Sequence, residues 1–328
     1  MNENLVKEYL MSLEIHFEEN KDISQITWIK RGGVARYFIQ PISAMELQKI
    51  CTYFYKKQIS FDIIGASSNL YCKNSYNPFV LISTQKCNYF SISEEEIVCE
   101  CGMNTSLLSQ KCCERNYSGF EGLTKLPGTI GGAICNNASA FDCSLSNVLK
   151  SVRFLDCHGI IKNMSADQFR FTHRSSALKR KEIQGVILNC SFNVIRSSEN
   201  LIEKAHFFEA KRKKTQQGPL LNLGSCFVAN KLKRLKKNDF DSFRTYVYYN
   251  LFIGLYRLFR NLLSNPTKIY KEWVLKILGY SDISKYVSDK NLNCFIWLDD
   301  DADKAFVRYS EFMRRYNVSS DYEIEIRN

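Results

Sequence analysis

PGTIGGAICNNASAF, residues 127–141, is the stretch on which the reading of this chain turns. It packs three glycines and several small residues into one run. With no side chains in the way, the backbone N–H groups of such a run can come close to an anionic ligand. The run lacks GxGxxG and does not read as a strand–turn–helix unit, so a Rossmann fingerprint is not supported. It lacks GK followed by Ser or Thr, which excludes a P-loop. Taken by itself it is equally a tight structural turn.

A second small-residue turn, GASSN at 65–69, follows the apolar segment FDIIG. Ser67, Ser68 and Asn69 could donate hydrogen bonds to a phosphate, or could simply cap the first turn of a helix. Two Gly/Ser turns far apart in sequence suggest one diphosphate held from two sides.

The segments around these turns read as a mixed chain. Residues 1–20 suggest a helix with a loose leader. Gly32-Gly33 marks a turn before a strand ending at Pro41. Met45, Leu47, Ile50, Tyr53 and Phe54 have helical spacing across 44–57. Strands are expected at FDIIG, FVLIS (79–83), IVCECG (97–102), SVRFLD (151–156) and VILNCSFNVI (186–195), with a helix near 105–115. His158-Gly159 fits a hairpin turn. Helices are expected at 200–215, 240–263, 270–278 (stopped by Gly279) and 302–316, with strands NCFIW (293–297) and YEIEI (322–326).

The bulk properties set limits. The 328 residues suit two or three domains, and a chain 45% hydrophobic and 24% charged is an ordinary globular mix. None of the 13 cysteines forms a CxxC pair, so no metal site is expected and the thiols read as small buried hydrophobes. The opening MNENLVKEYLMSLEIHFEEN is acidic with no apolar h-region, which argues against a signal peptide and for the cytoplasm. The net charge of +11 is dispersed apart from KLKRLKK at 231–237. No nucleic-acid-binding signature accompanies it, and it suits an anionic substrate such as a nucleotide diphosphate.

Seven segments, in order, carry a resemblance over nearly the whole chain. They are TWIKRGGVA (27–35), IIGASSNLY (63–71), EGLTKLPGTIGGAICNNASAF (121–141), FRFTHRSS (169–176), NLGSCF (222–227), VSDKNLN (287–293) and YNVSSDYEIEI (316–326). Together they resemble the UDP-N-acetylenolpyruvoylglucosamine reductase family, also called UDP-N-acetylmuramate dehydrogenases. The resemblance implies an α+β chain: a bipartite FAD-binding fold of the vanillyl-alcohol-oxidase/PCMH type with a C-terminal α+β substrate domain. The implied parts are a first FAD-binding subdomain at 1–90, a second at 91–205 and a substrate domain at 206–328. FAD would be bound without a covalent link, NADPH would be the co-substrate, and a UDP-sugar would be reduced for peptidoglycan precursor synthesis.

Carried over by motif, the cofactor residues would be Gly32, Gly33, Gly65, Ala66, Ser67, Ser68, Asn69, Leu70, Pro127, Gly128, Thr129, Gly131, Gly132, Ala133, Asn137 and Ala138. The catalytic residues would be Arg174, Ser225 and Glu323. A guanidinium suits a carboxylate clamp, because it is always charged and binds with two parallel hydrogen bonds. Glu323 would help to stabilise the enol form, and Ser225 would donate a proton. Without the resemblance, Arg174 is a solvated base, Ser225 a turn serine and Glu323 an outward charge beside Glu325. A two-residue shift would put Glu325 on the same face.

The chain also departs from the family. Val228, Ala229 and Asn230 replace the lysine, asparagine and proline after GSxF, Asn230 being able to stand in for the missing asparagine. Asn291 replaces a histidine, His173 a tyrosine, Val34 a proline and Ala66 a glycine. A helical insertion occupies about 231–267, apolar on more than one face. Its own domain is the first choice to cover it, then a second subunit as a homodimer, then a membrane surface. Two alternatives to the reductase remain: a divergent flavin oxidoreductase acting on another nucleotide sugar or metabolite, or an inactive flavin-binding scaffold.

Overall fold

The computed structural model describes residues 2–218, 220–229 and 232–328. It divides into two compact units. One comprises 1–68, 74–211 and 328; the other comprises 69–73 and 212–327.

The first unit opens with α1 (Asn2–Ser12), β1 (Phe17–Asp22), β2 (Val34–Ile39), α2 (Ala44–Lys56) and β3 (Asp62–Ile64). After β4 (Leu70–Cys72), which belongs to the second unit, comes β5 (Val80–Ser83). The sheet order is β1-β2-β5-β3, with β1 antiparallel and the other pairs parallel. The expected helix over 1–20 is thus half strand. Glu14 takes a left-handed φ of 55° that ends the helical run, and Phe17 then pairs with Ile39.

Ser43 caps α2 by accepting from the Glu46 N–H. Ala44, Leu47, Ile50, Cys51 and Phe54 fall on one face at helical spacing, and that face is buried. The buried carboxylate of Glu100 accepts from the Ala44 N–H at 2.8 Å, where the positive end of the helix favours an anion.

The chain continues through β6 (Phe90–Ile92), β7 (Glu96–Glu100), α3 (Thr105–Glu114) and the short α4 (Ile130–Cys135). A two-residue ladder follows, β8 (Ser139–Ala140) and β9 (Cys143–Ser144), then one turn of helix, α5 (Leu145–Val148). β10 (Leu149–Asp156), β11 (Ile161–Ser165) and β12 (Gly185–Asn193) complete an antiparallel sheet of order β11-β10-β12-β7-β6. The β10–β11 hairpin turns at His158-Gly159 as its sequence suggested. One apolar core runs from Val6 to Phe192 and includes side chains of both sheets. Eleven of the thirteen cysteines are buried and all are free, consistent with packing groups.

α6 (Leu201–Thr215) leads into the second unit, which holds α7 (Phe243–Phe259), α8 (Pro266–Ile277), α9 (Ala302–Tyr316) and β13 (Glu325–Arg327). α8 begins earlier than expected, because Asn265 caps it and Pro266 takes the first turn, where its missing N–H costs nothing. It ends at Gly279 (φ 79°), with the Tyr280 N–H on the Leu275 carbonyl. NCFIW does not form a strand. Among the described residues it makes only the isolated bridges Asn222↔Ile296 and Val287↔Phe295, with no neighbour alongside for more than one residue. The last strand begins three residues later and ends one later than its apolar alternation suggested, because Glu325–Arg327 pairs in parallel with β4. Phe295, Trp297, Phe306 and Tyr309 form an aromatic core against Tyr71 and Phe227.

The inserted helix α7 is covered by its own unit on one side only. Phe252 stacks on Trp273 of α8 (5.7 Å between centroids), and Tyr256 meets Tyr270 (5.0 Å). Its other side is exposed.

Candidate active site

In the first unit the two small-residue turns touch. The Ser68 hydroxyl donates to the Pro127 carbonyl at 3.0 Å. A Cβ on Gly65 would lie 2.3 Å from Thr129 Oγ1, so only glycine permits this approach. Gly128 has φ 136°, a left-handed conformation that favours glycine, and a Cβ there would meet Ser68 Oγ at 3.3 Å.

α4 carries the glycine-rich run after this contact. The sequence run was not expected to be helical, yet Thr129 caps six residues of helix by accepting from the Gly132 N–H. Gly131 packs on Cys101 and donates its N–H to the Cys101 carbonyl at 2.8 Å, and Ile130 donates to Met103 at 2.8 Å. These two N–H groups hold the fold together and face no ligand. Among the described residues, the backbone N–H groups of Ala66, Ser68, Gly128 and Thr129 donate to no protein acceptor. Three of these residues, Ala66, Gly128 and Thr129, line a cavity of about 310 Å³ with Gly102, Met103, Asn104, Gln85, Asn88, Phe90 and Leu107.

The Ser67 side chain is used inside the fold. At φ 53°, its hydroxyl donates to the Ala66 carbonyl (2.7 Å) and accepts from the Trp28 N–H (2.8 Å). Ser67 therefore ties the segment before Gly32-Gly33 to the turn. Gly33 itself is required by crowding, since a Cβ there would lie 2.4 Å from Asn77 Oδ1. Gln85, Asn88 and Gly102 were not singled out from sequence. The available signal was Cys101-Gly102 directly after a strand, where a Cβ would strike the Thr84 carbonyl.

Arg174 stands on a tight turn closed by reciprocal backbone bonds between Thr172 and Ser175. Its φ is 55°, a conformation an L-residue adopts at a cost of about 1–2 kcal/mol. Two bonds fasten this turn to the glycine-rich segment. Asn137 Nδ2 donates to the Thr172 carbonyl (2.9 Å), and the Ser176 hydroxyl donates to the Cys135 carbonyl (2.6 Å). Asn137 and Arg174 are thereby brought together, and His173, beside Arg174, is exposed.

In the second unit Ser225 and Glu323 are neighbours through the backbone. The Glu323 N–H donates to the Cys226 carbonyl at 2.9 Å, and Asn69 Nδ2 donates to the Glu323 carbonyl at 3.2 Å. Asn69 thus lies beside the Glu323 segment, and Leu70 lies opposite Glu325 in the parallel ladder that begins two residues later. Glu325 forms an ion pair with Arg327 at 2.5 Å. Burial pushes the Cys226 thiol well above its usual range, so no thiolate competes beside Ser225.

The segment that holds Ser225 is fixed by Asn293 and Asn317, which lie within the motifs 287–293 and 316–326 but were given no such role from sequence. Asn293 accepts from the Phe227 N–H and donates to the carbonyls of Phe227 and Ala229. Asn317 also donates to Ala229, at 2.6 Å. Lys290 is spent on the carbonyls of Lys213 and Gln216, and Asn291 Oδ1 accepts from the Asn293 N–H. The expectation that Asn230 stands in for a missing asparagine lies outside the described residues.

The chain matches the FAD binding domain family over residues 35–165. The class is therefore that of FAD-binding proteins, and the match covers the turn contact and α4. The UDP-N-acetylenolpyruvoylglucosamine reductase of Caldicellulosiruptor saccharolyticus is 31% identical over 221 residues, covering 66% of this chain and 71% of that protein. The enzyme of the same name from Chlamydia muridarum is 28% identical over 183 residues, 56% of this chain and 61% of the relative. The crystal structure of the Thermus caldophilus UDP-N-acetylenolpyruvylglucosamine reductase superposes with a TM-score of 0.62 at 16% identity, over 96% of this chain and 99% of that one. The chain belongs to the UDP-N-acetylenolpyruvoylglucosamine reductase family, and it has that α+β, bipartite FAD-binding fold.

Proposed function

We propose that this chain binds FAD without a covalent link and, with NADPH, reduces UDP-N-acetylglucosamine enolpyruvate to UDP-N-acetylmuramate in the cytoplasm, for peptidoglycan synthesis. The observation that carries this is the contact of the 65–68 turn with 127–129, with Ala66, Gly128 and Thr129, whose N–H groups are unbonded, lining one cavity. Such converging N–H groups suit the diphosphate of FAD. The turns, with Gly32 and Gly33, would hold the cofactor. Residues 1–90 and 91–205 are taken as its two binding subdomains and 206–328 as the substrate domain.

The chemistry that FAD supplies when bound is hydride transfer, from NADPH to the terminal carbon of the enolpyruvyl group. Arg174 then holds the carboxylate on which negative charge develops, through two parallel N–H···O bonds. Ser225 gives its hydroxyl proton to the neighbouring carbon, producing the lactyl ether. A serine is a weak acid, so its alkoxide needs stabilising neighbours as the proton leaves. Glu323, in its protonated form, hydrogen-bonds to the enol-like carboxylate. These three roles are supported by motif position and by the anchoring of each segment.

A second reading, a flavin oxidoreductase for a different nucleotide sugar, draws on one feature. Lys290 is occupied by backbone carbonyls, and Val228 and Ala229 offer no charge after Ser225. Purified protein should be yellow and should oxidise NADPH faster when the UDP-enolpyruvyl sugar is added. A colourless protein that takes up no FAD defeats the proposal. A yellow protein indifferent to that sugar favours the second reading.

A further inference from the structure

We infer that the exposed face of α7 docks on an anionic lipid surface. Phe243, Val247, Leu251, Leu255, Leu258 and Leu262 recur every three or four residues along α7 and the 3-10 turn that extends it. They therefore form one stripe. All six are exposed, Leu258 by 73% and Leu262 by 81%. The opposite side is already taken by α8, so the stripe is a second apolar face on the same helix.

Charge decides what covers it. Residues 231–268 contain nine lysines and arginines against two aspartates, a net +7 within a chain of +11. Both aspartates are already paired, Asp239 with Lys233 and Asp241 with Arg315. From 242 to 271 there is no acidic residue. A second copy of this chain would oppose one cationic segment to another, which repels. An anionic bilayer supplies both an apolar layer for the stripe and negative headgroups for the bases. The edges fit that interface: Lys237 Nζ lies 4.9 Å over the Phe243 ring, and Tyr248, next to Val247 in the chain, is half exposed. No described helix is long and apolar enough to cross a membrane, so contact would be with the surface.

Flotation of the full FAD-loaded chain with vesicles tests this. It should float with equal parts phosphatidylglycerol and phosphatidylcholine, and not with phosphatidylcholine alone. Leu255→Asp with Leu258→Asp, both at exposed positions, should reduce the bound fraction about tenfold while flavin absorbance is retained. Arg257→Gln with Arg260→Gln should weaken binding to the phosphatidylglycerol vesicles and leave the apolar stripe intact. No flotation on anionic vesicles, equal flotation on both kinds, or an unchanged Leu255/Leu258 double variant overturns the proposal. A concentration-dependent dimer that the same variant dissolves, without vesicle binding, assigns the face to a second copy instead. A stable complex with an acidic protein that prevents flotation overturns it as well.

Discussion

The side-chain amide of Asn293 brackets the backbone of Phe227, accepting from its N–H at 2.9 Å and donating to its carbonyl at 2.7 Å. Asn293 is fully buried, and its own carbonyl accepts from the Cys226 N–H at 2.8 Å. One side chain thus does the work of a missing neighbour strand, two residues from Ser225. Asn293→Leu keeps the volume and strands these buried groups. It should cost about 2–4 kcal/mol in chemical denaturation. Asn293→Asp retains the acceptor and loses the donor. A loss below about 0.5 kcal/mol for the leucine variant would show that this clamp is not needed.

Ser225→Ala separates the two half-reactions. Flavin reduction by NADPH should be unchanged in stopped flow, and reoxidation by the enolpyruvyl sugar should slow by about 10²–10³. If flavin reduction slowed instead, Ser225 would belong to the other half-reaction.

Arg174 combines a proposed charge role with an unfavourable backbone conformation, and the two respond oppositely to substitution. Arg174→Gly removes the strain at φ 55° and should leave stability unchanged or raise it by up to about 1 kcal/mol. Turnover should nevertheless collapse. Arg174→Lys keeps the charge but not the paired hydrogen bonds, and should retain only partial activity. Full activity in the glycine variant would remove Arg174 from the chemistry.

The Gly65–Thr129 contact predicts a rescue. Gly65→Ala places a methyl 2.3 Å from Thr129 Oγ1 and should force the turns apart, weakening FAD binding by about tenfold or more. Adding Thr129→Ala removes that oxygen and leaves the next atom, Cβ, at an ordinary 3.4 Å. The double variant should recover part of the affinity, less what is lost with the α4 cap. Equal flavin affinity in wild type and Gly65→Ala, by titration of flavin fluorescence, would refute the cradle.

Asp156 provides a pH signature. Its carboxyl is held down to about 2, chiefly by the Lys162 ammonium and then by backbone N–H groups of the His158-Gly159 turn. A carboxylate depressed on folding stabilises above its unfolded value, and that contribution fades as pH falls toward the folded one. Asp156→Asn should therefore lower stability near neutrality. The gap from wild type should narrow between about pH 4 and pH 2. A gap that stays constant with pH would exclude the ionised form as its source.

Much of this protein was legible along the chain. Helical spacing in 44–57 foretold α2 and three of its buried residues, Leu47, Ile50 and Phe54, though Met45 is exposed, and His158-Gly159 foretold a hairpin, because both are local patterns that backbone geometry enforces. The small-residue turns at 65–69 and 127–133 could be flagged for the same reason. What failed was non-local. NCFIW has the composition of a strand but lacks a neighbour of matching length, and Phe17–Asp22 left the expected helix because β2 offered a ladder.

The amino-acid sequence determined which segments could bend tightly, which faces were apolar and which residue types were present for hydride and proton chemistry. Only the tertiary structure decided that Gly65 meets Thr129, that Ser67 serves the fold and that Asn293 holds the Ser225 segment. It also decided that α7 keeps one face open. The physical reason is that glycine freedom and helical period are properties of neighbouring residues. Whether a polar group is satisfied or an apolar face is covered depends on partners brought from far along the chain.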